Sequence, residues 1–230
     1  MAAGSDIIVI EGLDGSGKST QFEKLSEYFK EKGREVRAIS FPDYDNPSSV
    51  LVKMYLGGEI AGSAGAVNAY AASSFYAVDR YVSFKQLWEQ DYKDGKLILA
   101  ARYVTSNYIY QMTKLDESDW DSYISWLEDY EYGKLGLPRP SLVIFLDMPI
   151  EISQRLMSAR YGGDEGKKDI HESDIAYLKA CRKSALYTAK RLGWKIIECS
   201  EGGEALPVDT IFEKIVRIVE GSLEVRKGEL

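Results

Sequence analysis

The sequence predicts a three-layer α/β/α fold built on a five-stranded parallel sheet, in a single domain that covers residues 1–230. Two observations support this prediction. Short apolar runs alternate with segments of helical periodicity along the whole chain. A glycine-rich turn also joins the first apolar run to the first helical segment, and ligand sites of such folds form at the carboxyl ends of the strands.

Five apolar runs are predicted to be strands of this sheet. They are residues 7–10, 36–39, 97–100, 142–146 and 195–198. From Lys18 to Lys32 the apolar residues recur at helical spacing, and Gly33 provides a C-terminal stop. A last helix, from about Pro207 to Leu223, carries a wide apolar stripe that should pack on the sheet.

Two further segments have no such simple pattern. The polar, glycine-bearing stretch at residues 161–168 predicts a loop of the kind that forms lids, and the lid segment is placed at about 155–172. The acidic, aromatic stretch from Asp116 to Tyr132 allows two interpretations. It packs on the body of the domain, or it lies on a partner chain.

The composition limits the kinds of partner. The 230 residues carry a net charge of −7, so a broad basic face for nucleic acid is not expected and phosphate-binding charge must be local. No apolar run approaches the roughly 20 residues needed to cross a bilayer. The first residues also lack the basic and apolar regions of a signal peptide. A cytoplasmic protein with neither a nucleic-acid nor a membrane partner is therefore expected.

Cysteine and histidine usage limits the kinds of site. Cys181 and Cys199 have no histidine nearby, and two reduced, buried thiols are favoured over a disulfide or a metal site. His171 is the single histidine of the chain. There is thus little prospect of a histidine-based metal site or of a Ser/His/Asp triad.

The strongest motif is the phosphate loop, or P-loop, which runs from Gly12 to Ser19 and fits G-x-x-x-x-G-K-[ST] between a predicted strand and a predicted helix. Its glycines allow backbone N–H groups to wrap a phosphate, and the helix N-terminus adds partial positive charge. Lys18 should reach the β and γ phosphates of ATP, and the Ser19 hydroxyl should bind Mg²⁺. The expected ATP-binding residues are Gly12, Gly15, Ser16, Gly17, Lys18, Ser19 and Thr20.

A P-loop alone does not identify what receives the phosphoryl group, since GTPases, ATPases and small-molecule kinases share it. The chain has no N-K-x-D segment of the kind that reads guanine in GTPases, and it is short for a motor or transport module. A compact kinase fits better. The rest of the chain should then hold an acceptor site.

Three further segments, taken in order with the P-loop, resemble the thymidylate kinase family over essentially the whole chain. The first begins at Phe41, directly after the second predicted strand. The resemblance implies that Phe41 and Pro42 lie at the edge of the nucleotide pocket and that Tyr44 faces the monophosphate.

The second segment includes Phe75 and Arg80, which lie five residues apart and are expected near one face of a predicted helix. The resemblance implies that Phe75 stacks on the thymine ring and that Arg80 donates a hydrogen bond to O4 of thymine. Both roles are physically reasonable, because an aromatic face can stack on a base and only a donor can pair with a carbonyl oxygen.

The third segment runs from Ala101 to Tyr110, at the end of a predicted strand. The resemblance implies that Arg102 holds the 5′ phosphate of the acceptor as a bidentate clamp. It also implies that Asn107 pairs with the edge of the thymine, and that Tyr110 lies near C2′ of the sugar, where bulk favours a deoxynucleotide. The other substrate-binding residues expected near these segments are Asp14 and Ser106.

The chain departs from the family pattern at Ala101, where the family has an aspartate that partners Mg²⁺ and the transferring phosphates. Two interpretations compete. Either Ala101 is a natural variant for which another carboxylate, Asp14 or Glu172, compensates, or it is a deliberate substitution that traps substrates. The close match of the surrounding residues favours the second interpretation, in which activity is impaired.

Positive charge for the transition state is expected from the lid segment. In some members of the family a P-loop arginine supplies this charge, and the matching position here is Gly15. Arg160 is therefore the first candidate, with Arg155 and Lys167 as alternatives. The resemblance also places Glu172 near the acceptor pocket. The implied catalytic residues are Lys18, Arg102, Arg160 and Asp14.

The resemblance implies the reaction ATP + dTMP → ADP + dTDP, with Mg²⁺ as the cofactor and the two nucleotides as small-molecule partners. The acceptor is already an anionic phosphate, so catalysis depends on in-line placement and neutralisation of charge. Two alternatives stay open: a related kinase acting on another deoxynucleotide or a deoxynucleoside, and a nucleotide-binding protein without turnover. The family is commonly a homodimer, so a homodimer is expected.

Overall fold

The computed structural model describes residues 5–160 and 174–228. Five strands form one parallel sheet, in the order β2-β3-β1-β4-β5. They are β1 (Ile7–Gly12), β2 (Val36–Ser40), β3 (Leu97–Ala101), β4 (Leu142–Asp147) and β5 (Lys195–Glu198). The predicted parallel sheet is confirmed. A short antiparallel hairpin, β6 (Ser200–Glu201) and β7 (Glu204–Ala205), follows β5 and was not predicted.

Helices separate the strands. They are α1 (Lys18–Glu31), α2 (Val50–Leu56), α3 (Ala69–Ser83), α4 (Glu89–Lys93), α5 (Thr105–Tyr110), α6 (Trp120–Leu127), α7 (Ile150–Arg160), α8 (Ile175–Leu192) and α9 (Val208–Gly228). Helix α1 ends one residue before its predicted end, and α9 continues beyond the predicted end at Leu223. Two π-helical segments, Phe84–Trp88 and Glu128–Lys134, extend α3 and α6.

The three central strands β1, β3 and β4 are buried on both faces, because their side chains alternate between the two faces and helices cover each face. In β1, Ile7 and Val9 pack in the cluster that includes α5, α6 and α8, whereas Ile8 and Ile10 pack in the cluster that includes α1 and α9. All four side chains are at most 1% exposed. Helices on both sides of one sheet make the three-layer α/β/α architecture that the sequence predicts.

The structure shows where the acidic, aromatic stretch and the two cysteines lie. Trp120 and Tyr123 of the acidic, aromatic stretch are buried in the same cluster as α5 and α8. This stretch therefore packs on the body of its own domain, which is one of the two interpretations. Cys181 and Cys199 are free and buried, so the predicted burial of the two thiols is confirmed.

Part of the predicted lid lies outside the described residues. Helix α7 ends at Arg160, whose side chain is not described, and the description resumes at Asp174, the N-cap of α8. The predicted loop at 161–168, Lys167, His171 and Glu172 fall between them. In the two described ranges, no helix combines the length and the apolar character needed to cross a membrane.

The pairing of β1 with β3 sets the position of the candidate site. Ile10 lies opposite Ala101 in the parallel register. The P-loop follows β1 directly and Arg102 follows β3 directly, so both emerge from the same edge of the sheet. The order places β1 between β3 and β4, and this change of direction is where ligands bind in such sheets.

Candidate active site

The P-loop is a tight turn between β1 and α1 whose shape depends on its glycines. Gly15 and Gly17 have φ angles of 75° and 83°, in the left-handed region that only glycine adopts without cost. A Cβ at Gly12 would lie 2.4 Å from Ser16 Oγ. Among the described residues, no side chain caps α1 and no acidic residue lies in its first turn. The first N–H groups of α1 are therefore available to an anion.

Lys18 is the first residue of α1 and is partly buried. Burial is the main reason that its pKa falls from 10.5 to about 8, and the nearby positive charge of Arg102 contributes to the shift. The carboxylates of Asp14 and Glu11 act in the opposite direction. A bound polyphosphate would favour the protonated ammonium, so ligand binding and protonation of Lys18 are linked.

Arg102 links the P-loop to helix α5. Its Nη2 donates to Asp14 Oδ1 at 2.8 Å, and its Nη1 donates to Tyr110 Oη at 2.7 Å. Burial opposes its charge, but attraction from Tyr110, Asp14 and Glu11 leaves the pKa of Arg102 raised. Its φ of 62° is the one positive value at a non-glycine position in the described ranges. Such a backbone costs about 1–3 kcal/mol and is typical of functional sites.

One cavity of about 710 Å³ opens beside the P-loop and is the candidate acceptor site. It lies at the carboxyl ends of β1, β2 and β3, where Asp14, Ser40 and Arg102 line it. The predicted substrate-binding residues that line it are Asp14, Phe41, Pro42, Tyr44, Arg80, Arg102, Ser106, Asn107 and Tyr110. Segments far apart in the sequence are thus brought together around a space large enough for a nucleotide.

Phe75 does not line this cavity, contrary to the role implied for it. Its ring packs 6.0 Å from the ring of Tyr55, in a small apolar cluster with Val67 and Ala72. Tyr76 lines the cavity instead. Tyr76 and Arg80 are four residues apart and share a helix face, whereas a separation of five turns Phe75 away from Arg80. Of these two neighbouring aromatic residues, Tyr76 is thus the one that lines the cavity.

Arg80, which lines the cavity, belongs to a buried ion pair. Arg80 donates from Nε and Nη2 to the two carboxylate oxygens of Glu131, at 2.7 and 2.6 Å. The side chains of Arg80 and Glu131 are 2% and 0% exposed. Asn107 Nδ2 donates to Glu131 Oε1 at 3.0 Å. Burial disfavours the charge of Arg80, but the attraction of Glu131 leaves its pKa raised.

Glu11 is a second buried carboxylate, in β1 directly before the P-loop. Its Oε1 accepts hydrogen bonds from Thr105 Oγ1 at 2.6 Å and from Ser106 Oγ at 2.7 Å. Its Oε2 is buried and has no hydrogen-bond partner among the described residues. This oxygen is an unused acceptor next to the phosphate-binding segment.

The loop after β2 is fixed to α3 by Asp79. The Asp79 carboxylate accepts hydrogen bonds from the backbone N–H of Asp43 at 3.0 Å and from Ser48 Oγ at 2.5 Å. Asp79 is 1% exposed, so the attachment is internal. It holds Phe41 and Pro42 at the cavity wall, next to Tyr44, whose side chain is 49% exposed.

Arg155 contacts the β6–β7 hairpin. Its Nη2 donates to the carbonyl of Gly203 at 2.7 Å, and its Nη1 lies 3.3 Å from Glu204 Oε1 in the β6–β7 hairpin. Asp174 lines the acceptor cavity from the start of α8. The remaining lid candidates are the undescribed side chain of Arg160 and the undescribed residues Lys167 and Glu172.

The sequence analysis missed several residues of the site. Some of them could have been found from the sequence and others could not. Glu11 was detectable, because a charged residue inside an apolar strand run is unusual. Tyr76 was detectable from its spacing to Arg80. Lys114 lines the cavity, donates to Tyr55 Oη at 2.7 Å, and has its pKa lowered by burial to about 8. Nothing in the sequence distinguishes Lys114 or Glu131 from neighbouring charged residues.

Comparisons with known proteins agree on one family. The model of the thymidylate kinase family matches residues 10–207. A probable thymidylate kinase of Thermococcus onnurineus is 33% identical over 220 residues, which cover 94% of this chain and 98% of that protein. A thymidylate kinase of Mycobacterium tuberculosis is 31% identical over 183 residues, which cover 79% of this chain and 83% of that protein.

A solved structure agrees with the fold. The thymidylate kinase from Candida albicans matches with a TM-score of 0.68 at 24% identity, over 96% of this chain and 93% of that chain. The family match and these relatives span most of the chain, which has a P-loop beside the candidate acceptor site. The chain therefore belongs to the thymidylate kinase family.

Proposed function

We propose that this chain transfers the γ-phosphoryl group of ATP to the 5′ phosphate of dTMP, which yields ADP and dTDP. The observation that carries the proposal is the 2.8 Å ion pair between Arg102 of the acceptor cavity and Asp14 of the P-loop. It brings the donor and acceptor sites side by side, as phosphoryl transfer between two nucleotides requires. Membership of the thymidylate kinase family supports the same reaction.

The donor phosphates are bound by the P-loop in this proposal. The backbone N–H groups around Gly15 and Gly17 and the free N-terminus of α1 surround the β and γ phosphates, and Lys18 donates to them. Because Lys18 has a pKa of about 8, it is mainly protonated at neutral pH. Its charge offsets the charge that spreads over the γ oxygens during transfer.

The acceptor phosphate is held by Arg102. A guanidinium already positioned by Asp14 and Tyr110 loses little further freedom when it binds a phosphate. It orients the attacking oxygen toward the γ phosphate and offsets part of its charge. The acceptor oxygen is anionic at neutral pH, so the step needs no side chain to remove a proton.

The residues present are compatible with Mg²⁺. This ion prefers oxygen ligands and is held mainly by phosphates and water with one or two protein oxygens. The Ser19 hydroxyl and the Asp14 carboxylate are the proposed protein oxygens, and the unpaired Glu11 Oε2 adds negative charge nearby. When bound, the ion would neutralise charge on the β and γ phosphates.

A cation from the lid segment completes the proposal. Gly15 cannot carry an arginine, because even a Cβ there would lie 2.8 Å from the carbonyl oxygen of Ser153. Arg155 is engaged by the β6–β7 hairpin. Arg160, the last residue of α7, is therefore the preferred residue for contacting the transferring phosphate. Lys167 is the alternative.

A homodimer is part of the proposal. Two apolar side chains on α3, Val78 and Tyr81, are 38% and 37% exposed, and Leu87 in the segment that extends α3 is 45% exposed. Contact with a second copy would remove this apolar surface from water. Light scattering coupled to size exclusion should give twice the mass of one chain. A single-chain mass at micromolar concentration would contradict this part of the proposal.

A panel of acceptors tests the reaction. Release of ADP is measured with dTMP, dCMP, dGMP and thymidine, each with ATP and Mg²⁺. We expect release that depends on dTMP and exceeds that with the other acceptors. Preference for another acceptor would favour the related-kinase alternative, which the family match does not favour. Nucleotide binding without ADP release would favour the alternative of a non-catalytic protein, which stays open because Ala101 stands where the family has an aspartate.

A further inference from the structure

Glu131 is a fully buried carboxylate for which the sequence predicts no role. It lies in the π-helical segment that extends α6, and it is 0% exposed. Its two oxygens accept three hydrogen bonds, two from Arg80 and one from Asn107. A buried charge needs such partners, and here both partners line the acceptor cavity.

Glu131 determines how Arg80 can meet a ligand. With Nε and Nη2 bound to Glu131, and with Nη1 donating to the carbonyl of Tyr103 at 3.3 Å, the guanidinium is fixed in one plane. Arginine offers only hydrogen-bond donors. A ligand atom that meets Arg80 must therefore be an acceptor, such as a ring carbonyl oxygen.

Glu131 also determines which atom of Asn107 is left for a ligand. Asn107 Nδ2 donates to Glu131 Oε1 at 3.0 Å and to the carbonyl of Ser73 at 3.3 Å. Rotating the amide by half a turn would place Oδ1 against these two oxygens, and oxygen cannot donate there. The nitrogen is thus committed to the protein. The amide oxygen remains as an acceptor for a ligand N–H.

We propose that Glu131 is a positioning residue for Arg80 and Asn107. It makes the part of the cavity lined by these two residues selective for a base that carries a carbonyl next to a ring N–H, and therefore for thymine over cytosine. The inference rests on the proposed function, because it assumes that the base of the acceptor reaches Arg80 and Asn107. Thymine presents O4 and N3–H at this edge and satisfies both groups. Cytosine presents an amino group and an unprotonated N3, so it has a donor where thymine has an acceptor and an acceptor where thymine has a donor.

The reversal makes the selection strong. The amino group of cytosine would face the N–H groups of Arg80, and its N3 would face the amide oxygen of Asn107. Both polar contacts become repulsive, and buried groups of the protein lose their partners. Without the Glu131 charge, Asn107 could turn its amide to match cytosine. The discrimination between the two bases should then decrease.

The test measures the dissociation constants of dTMP and dCMP by calorimetry for three proteins. They are the native chain, Glu131→Gln, and the control Asp147→Asn. The control breaks a similar bidentate pair, in which Arg182 donates to Asp147 at 2.6 and 2.8 Å and neither residue lines the cavity. We expect E131Q to lower the preference for dTMP over dCMP at least tenfold, and D147N to leave it within twofold.

Kinetics separate positioning from general stability. In E131Q we expect the KM for dTMP to rise at least tenfold while kcat at saturating dTMP changes less than threefold. If E131Q weakens dTMP and dCMP equally, so that their ratio stays within twofold of native, Glu131 is only structural and the inference fails. A native chain without preference for dTMP would instead overturn the proposed function, before any variant is compared.

A second variant covers the case in which E131Q does not fold. Glu131→Asp keeps the negative charge, but its shorter side chain cannot reach Arg80 and Asn107 together. We expect E131D to fold and to lower the dTMP preference at least threefold. An unchanged preference in E131D would overturn the inference. The melting temperature of each variant, measured without ligand, shows that the compared proteins are folded.

Discussion

Arg102 and Asp14 form an ion pair of 2.8 Å that joins the acceptor cavity to the P-loop. Arg102 follows β3 and Asp14 follows β1, so the pair depends on the parallel pairing of these two strands. Its side chains are 21% and 32% exposed, which leaves both accessible from the cavity. In the proposed reaction, Arg102 therefore lies where the two substrates would meet.

Replacement of Arg102 by lysine should lower kcat/KM for dTMP by at least about 100-fold, because a lysine cannot hold a phosphate while contacting both Asp14 and Tyr110. Steady-state ADP release measures this. The matched control is Arg139→Lys, at an exposed arginine that pairs with Glu128 at 2.9 Å. It should change kcat/KM less than about twofold. Equal losses in the two variants would contradict the role of Arg102.

ATP affinity should fall as the pH rises through 8. The pKa of Lys18 is lowered to about 8, so its ammonium is present below that pH and is progressively lost above it. Phosphate binding favours the ammonium, and the limiting weakening is about tenfold per pH unit. Calorimetry with ATP between pH 7 and 9.5 measures this. Lys18→Met should bind ATP weakly at every pH. If the ATP affinity of that variant still fell as the pH rose through 8, the titrating group would be one other than Lys18.

Replacement of Ala101 by aspartate should increase turnover. Ala101 is the last residue of β3, opposite Ile10 of β1 and Ser40 of β2, so a carboxylate there would lie at the edge of the sheet that carries the P-loop. We expect a kcat at least about tenfold higher and half-maximal activity at lower Mg²⁺. Ala101→Asn is the control without charge. Equal rates for native chain and A101D would show that the aspartate does not matter here.

Tyr76, and not Phe75, should support the base of the acceptor. Tyr76→Ala should weaken dTMP binding by about 10- to 100-fold, the usual range for loss of one stacked aromatic ring. Phe75→Ala is the neighbouring control. It should lower the melting temperature, since its ring packs on Tyr55, and change dTMP affinity less than about threefold. The reverse pattern in calorimetry would restore Phe75 as the stacking residue.

Gly15→Ala should destabilise the protein more than Gly33→Ala. Both glycines have positive φ, 75° and 71°, so each substitution carries a backbone cost of about 1–2 kcal/mol. Only at Gly15 does a Cβ also meet backbone, at 2.8 Å from Ser153 oxygen, whereas at Gly33 it meets nothing within 4 Å. Thermal unfolding of the two variants measures the difference. Equal losses would show that the loop around Gly15 can shift.

Much of the fold was predictable because its signals are local. The apolar runs at residues 7–10 and 97–100 alternate with helical patterns, and buried parallel strands require such runs. The P-loop was equally clear, since its glycines, Lys18 and Ser19 lie in one short stretch between a strand and a helix. The sequence could not predict the π-helical segments, because they depend on how α3 and α6 pack in the finished core.

The candidate site was predicted less completely. Resemblance to a family located Arg80, Arg102 and Asn107, and all three line one cavity. It named Phe75, whereas Tyr76 lines the cavity, because the face of the helix decides which of the two rings meets the cavity. It also missed Glu131, which contributes to the site through its contacts with Arg80 and Asn107 and not through a local pattern.

The sequence by itself therefore determined the alternating strands and helices and the P-loop, because each depends on residues that are neighbours in the chain. The class of reaction followed from several separated segments that together resemble one family. Tertiary structure decided which side chains meet: the pairing of β1 with β3 joins Asp14 to Arg102, and the packing of α6 on α3 and α5 joins Glu131 to Arg80 and Asn107. A buried charge must be paired, and only folding determines which partners lie within hydrogen-bond distance of it.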